Sequence, residues 1–118
     1  MSIIVSKSMI WVAALLLAAC ALLHSLAWAR IQANFTPEGR PMAALTWFLI
    51  AIDWLVIAGV WVLGARQGAA ARPMLLLSAI VPIAVTIGLY MTLGPSFFAI
   101  YLQLSAGVLV AAGAFTLR

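Results

Sequence analysis

Charge is nearly missing from this chain. Only 7% of its 118 residues are Asp, Glu, Lys or Arg, against about 25% in an ordinary soluble domain, so no water-facing surface can be built from it. Acids are scarcest: Glu38 lies in a polar stretch and Asp53 in an apolar one, which excludes the embedded carboxylate pair of glycoside hydrolysis. A single cysteine, Cys20, and a single histidine, His24, exclude an intrachain disulfide, a multi-cysteine zinc or iron–sulfur site, a di-metal histidine cluster and a two-histidine haem. There is no phosphate-cradling glycine loop and no G-x-S-x-G nucleophile motif. The sequence therefore predicts no cofactor and no metal, and it argues against ATP-driven and most hydrolytic mechanisms.

Apolar residues fill the chain instead: 68% are hydrophobic and the mean hydropathy is +1.26. Four long apolar runs, at about 8–29, 41–64, 73–93 and 96–117, each approach the roughly 20 residues needed to cross a hydrocarbon core. They do not alternate as barrel strands do, and a lipid-facing backbone must satisfy its own hydrogen bonds, so each reads as a helix. The prediction is an all-α, integral membrane, four-helix transmembrane bundle forming one domain over 1–118. Pro41, Pro73 and Pro95 fall near the starts of runs, where a missing N–H costs nothing. Pro82 lies inside the third run, cannot donate to Ser78, and predicts a kink there.

The net charge of +4 comes from six cations scattered at the predicted helix ends. That placement fits topology signals and contacts with anionic lipid rather than nucleic-acid binding. Lys7, Arg66, Arg72 and Arg118 fall on one side and Arg30 and Arg40 on the other, so the count places both termini in the cytoplasm, with the bacterial cytoplasmic membrane as the expected location. Leu17-Ala18-Ala19-Cys20 resembles a lipoprotein processing site, and Ala27-Trp28-Ala29 has the small-x-small form of a cleavage site. Both follow apolar runs that are too long or continue too far for a secretory signal, so an intact first span is expected. Small residues four apart, Ala14 and Ala18, Ala84 and Gly88, and Gly107 and Ala111, supply seams for close helix packing, within the chain or between copies.

A few polar groups inside these runs need explaining. Asp53 falls near the bilayer centre, where a carboxylate costs about 3 kcal/mol on insertion scales, so it is expected to face the interior, find a partner or be protonated. It reads as a proton-carrying or ligand-binding acid, or as a structural hydrogen bond between helices. His24 is a candidate relay, or a histidine bonded to a neighbouring helix. Trp47, Trp54 and Trp61 recur every seven residues along one side of the second helix. The outer two suit interfacial belts, while Trp54 packs between helices or stacks on a flat or cationic ligand. Arg30, Thr46, Thr86, Tyr90, Tyr101 and Gln103 collect in the outer half, which predicts a polar pocket opening outward above Asp53; the alternative is that Arg30 and the tyrosines anchor helix ends.

Three functions remain open. The first is a protein that binds or moves a small molecule or proton through that pocket, its ligand site drawn from Asp53, His24, Trp54, Gln103, Tyr101, Thr86 and Arg30. The second is a membrane-embedded isomerase or cyclase for a terpenoid or sterol-like substrate, with Asp53, His24 and Tyr90 as catalytic groups. The third is a structural accessory subunit. The expected partners are the lipid bilayer, a lipophilic or small polar ligand, and further copies or a larger membrane complex.

Overall fold

The computed structural model describes residues 2–117; Arg118, one of the cations counted above, lies outside them. The described residues form helices and turns, with no strand among them. Three helical runs, Ile3–Asn34, Arg40–Leu93 and Ala99–Thr116, are long and apolar enough to cross a membrane. The sequence predicts four separate helices, and the difference lies between the second and third. They join through a 3-10 turn, Gly68–Ala71, with no non-helical break. Ala69, Ala70 and Ala71 are strong helix formers and Pro73 sits in the first turn of the next helix, where it is tolerated, so only Gly68 (φ +73°) leaves helical geometry.

The middle run does not continue straight. At about 1.5 Å per residue its 54 residues would reach roughly 80 Å, yet the molecule is only 52 Å in its longest dimension. It folds back at the turn into α2 (Arg40–Gln67) and α3 (Arg72–Leu93), flanked in sequence by α1 (Ile3–Ile31) and α4 (Ala99–Thr116). α1 begins five residues before the predicted start because the Ser2 hydroxyl caps it, accepting from the Val5 N–H at 3.3 Å. α4 begins three residues late. Gly94, at φ +76°, and Pro95 make a turn that the Tyr101 hydroxyl closes by donating to the Pro95 carbonyl at 2.8 Å.

In lipid there is little hydrophobic drive between helices, so small residues and interhelical hydrogen bonds hold them. α1 packs along both α2 and α4, and α4 along α3, whereas α2 and α3 scarcely touch beyond their shared turn. The helices thus follow the order α2, α1, α4, α3, with a gap between the first and last. At Gly113 the approach of α4 to α1 is so close that an added Cβ would lie 2.8 Å from the Ser6 carbonyl oxygen. At Gly107 an added Cβ would lie 2.7 Å from Ile83 of α3. Two of the predicted small-residue seams, Ala14/Ala18 and Gly107/Ala111, turn into the bundle; Ala84 and Gly88 face outward.

The start of α1, the 68–71 turn and the end of α4 share one end of the molecule, and three hydrogen-bonded ties cluster there. The Ser6 hydroxyl donates to that of Thr116 at 2.9 Å, joining α1 to α4. Trp61 Nε1 donates to the Ser78 hydroxyl at 2.7 Å, joining α2 to α3. The Arg72 guanidinium donates to the Leu117 carbonyl, joining α3 to the end of α4. Trp61 is fully buried and Trp54 is 8% exposed, so the seven-residue tryptophan stripe is the packed side of α2. Trp61 lies in the core and not in an interfacial belt, because α2 has one face covered by protein and the stripe follows it.

Candidate ligand-binding site

The gap between α2 and α3 is a cavity of about 600 Å³. One wall is a stripe on α3, Val81, Val85, Leu89 and Leu93, each four residues from the next and hence on one face. Phe97 and Phe98, beyond Gly94, close the end remote from the termini. The opposite wall, from α1 and α2, carries the few polar groups: Cys20, His24 and Asp53, with Trp47 and Trp54 beside them. The lining is overwhelmingly apolar, and Asp53 is its one acid.

Asp53 is the fourteenth of the 28 residues of α2, its midpoint. The depth of the surrounding groups follows from the register. Counted from the Trp61–Ser78 hydrogen bond, eight residues along each antiparallel helix bring Asp53 level with Thr86. Asp53 is exposed, not packed in the core. Its carboxylate has no hydrogen-bond or ion-pair partner among the described residues, and the cations lie at helix ends.

His24 is held differently. Its ring stacks on that of Trp47, centroids 3.9 Å apart and planes 8° from parallel. His24 Nε2 lies 3.1 Å from the Trp47 carbonyl, which can only accept, so the proton is on Nε2. In return, Trp47 Nε1 donates to the His24 carbonyl at 2.6 Å. This reciprocal pair locks α1 to α2 near the end remote from the termini and leaves Nδ1 as the free ring nitrogen. Trp54 lies against the same imidazole, at 5.1 Å between centroids. Trp28 meets Trp47, Phe35 and Phe48 at about 6 Å, extending the aromatic cluster outward.

No protein-family model, curated protein or solved structure matches this chain.

The structure brings Asp53, His24 and Trp54 to one cavity and leaves the other predicted ligand residues outside its lining. Gln103 is fully buried, and neither its amide nitrogen nor its oxygen has a partner among the described residues. Thr86 is buried, and its hydroxyl donates to the Pro82 carbonyl at 2.8 Å. Tyr90 and Tyr101 are exposed, and the Tyr101 hydroxyl is committed to the turn; Arg30 is exposed in the last turn of α1. Similar depth on different helices does not put side chains in one cavity, since each also needs the right rotation about its helix. The α3 wall of the cavity is the feature that sequence reasoning did not single out. The α3 stripe has four-residue spacing, but in a wholly apolar helix that spacing has no polar contrast to reveal it. Cys20 was readable as sharing a face with His24, four residues on. No group of three or more His, Cys, Asp or Glu among the described residues could hold a metal ion.

Proposed function

We propose that the chain is a four-span membrane protein with both termini in the cytoplasm, and that it binds a lipophilic small molecule in the cleft between α2 and α3. The observation that carries this reading is the apolar cavity of about 600 Å³ with one unpartnered carboxylate on its wall. Its volume falls in the range of about 300–1,000 Å³ typical of small-molecule sites, which combine apolar walls with a few orienting polar groups. The fold-back of the middle run supports four crossings, and Lys7, Arg66 and Arg72 at the terminal end, against Arg30 and Arg40 at the other, support the orientation. A ligand already dissolved in the bilayer reaches the cleft sideways between α2 and α3.

A photoreactive dodecanol carrying a diazirine tests this in lipid nanodiscs. Adducts should concentrate on Asp53, Trp54 and Val85 and disappear when Val85→Trp fills the cleft. Labelling spread evenly over outward residues such as Leu77 and Met91 would refute it. The cavity volume also admits a terpenoid-sized substrate, so an isomerase or cyclase is the second reading. It retains Asp53 and His24 as acid and base but loses Tyr90, which is outside the cavity lining.

A further inference from the structure

The same cleft carries a more specific assignment, which rests on the binding reading above. We infer that its ligand is a lipophilic monocation, seated with its charged head on Asp53 and its apolar body running toward Phe97 and Phe98.

The polar inventory of the cavity argues against a neutral polar ligand. Such a head needs several complementary donors and acceptors, and the walls have almost none free. The Nε2–H of His24 is taken by the Trp47 carbonyl. Thr86, level with Asp53, and the buried Gln103 both lie outside the lining. What remains is the Nδ1 acceptor of His24, the weakly bonding thiol of Cys20, and one carboxylate without a counter-ion, with the aromatic ring of Trp54 on the same wall; the carboxylate is the strongest of these groups. A single negative charge beside an indole on an otherwise apolar wall is complementary to one positive charge. The carboxylate supplies ion pairing and the ring supplies cation–π attraction, which strengthens when the cation is desolvated. An anion would meet repulsion from Asp53, and a dication would leave one charge unmatched.

The axial layout sets the ligand's shape. Asp53 is level with the Val85–Thr86 turn of α3, and the lining continues from there to Leu93. Eight residues at about 1.5 Å each give roughly 12 Å of apolar wall above the carboxylate. An amine or quaternary ammonium with a ten-carbon chain or a two-ring body spans that length.

The experiment is competition against the diazirine label. Decyltrimethylammonium is compared with its neutral isostere, in which a carbon replaces the nitrogen. In the wild-type chain the cation should displace the label at a concentration at least tenfold lower than the isostere. In Asp53→Asn, which preserves shape, the two should become equal while the isostere's own potency stays unchanged. Equal potency in the wild-type chain overturns the cation assignment and leaves the cleft reading standing; this comparison needs no variant to fold. A cation preference that survives in Asp53→Asn overturns the assignment to Asp53. Absence of cleft labelling in the wild-type chain overturns the binding reading itself, and the assignment with it.

Discussion

Replacing glycine by alanine at four helix positions tests the packing of this bundle in a way that isolates one energy. Within a helix the change contributes about 1 kcal/mol of favourable propensity wherever it is made. What differs is the space awaiting the new methyl group. At Gly59 and Gly88 nothing lies within 4 Å of it, whereas at Gly113 it would meet the Ser6 carbonyl oxygen at 2.8 Å and Ile10 Cγ1 at the same distance. The first is backbone and cannot turn aside, so α1 and α4 must separate. Overpacking of this kind costs about 1–3 kcal/mol. Because the propensity term cancels, the stability gap between Gly88→Ala and Gly113→Ala is the overpacking cost itself, about 1–3 kcal/mol with Gly113→Ala the weaker. Gly64→Ala, where the neighbour is the flexible end of Leu75 at 2.7 Å, should fall between them. Reversible unfolding in mixed micelles of rising dodecyl sulfate fraction, followed by circular dichroism, measures all four. A gap below about 0.5 kcal/mol, the scatter of ordinary surface substitutions, would refute the close approach of α1 and α4.

Other variants test the polar contacts. His24→Ala and Trp47→Phe each remove one of the two side-chain-to-carbonyl bonds, so each should destabilise by about 0.6 kcal/mol or somewhat more, the usual scale for interhelical hydrogen bonds in membranes. These hydrogen-bond losses should add because each bond ends on the partner's main chain; a variant as stable as the wild-type chain would mean that its bond is absent. Ser78→Ala leaves the buried Trp61 N–H unpaired and should destabilise by about 1–3 kcal/mol, and Trp61→Phe in the same background should recover part of that in the same unfolding assay. Gln103→Leu removes one orphaned amide, both of whose polar atoms are unpartnered among the described residues, from the core and should stabilise the fold by about 1 kcal/mol or more; a loss of stability would show that the amide has a partner such as a buried water.

The helical runs were legible because a hydrocarbon environment demands long, uninterrupted apolar stretches, and Pro41 and Pro73 marked two entries correctly. The precise ends were less legible. They depend on single hydrogen bonds, the Ser2 cap and the Tyr101 closure of the Pro95 turn, which apolar counting does not register. Asp53, His24 and Trp54 were legible as candidates because polar or aromatic groups at mid-helix stand out. Their separation from Gln103, Thr86, Tyr90, Tyr101 and Arg30 was not, because rotation about a helix axis can be read from sequence only where polar and apolar faces contrast. The helices here are apolar on nearly every side. The same uniformity hid the α3 wall of the cleft and the inward turn of Trp61.

The three ties at the terminal end have a mechanical consequence. Ser6–Thr116, Trp61–Ser78 and Arg72–Leu117 pin helices together near one end, while among the described residues only the His24–Trp47 pair acts at the other end, and it joins α1 to α2. Among the described residues no hydrogen bond joins α2 to α3 beyond Trp61–Ser78, so the molecule is stiff at one end and compliant at the other. Amide exchange slowest near Ser6, Ser78 and Thr116 and progressively faster toward Leu93 would be the signature of that gradient. In the proposed four-span arrangement, lateral pressure in the leaflet around the compliant end would set the width of the cleft mouth, so lipid composition there would act directly on the space available to a guest.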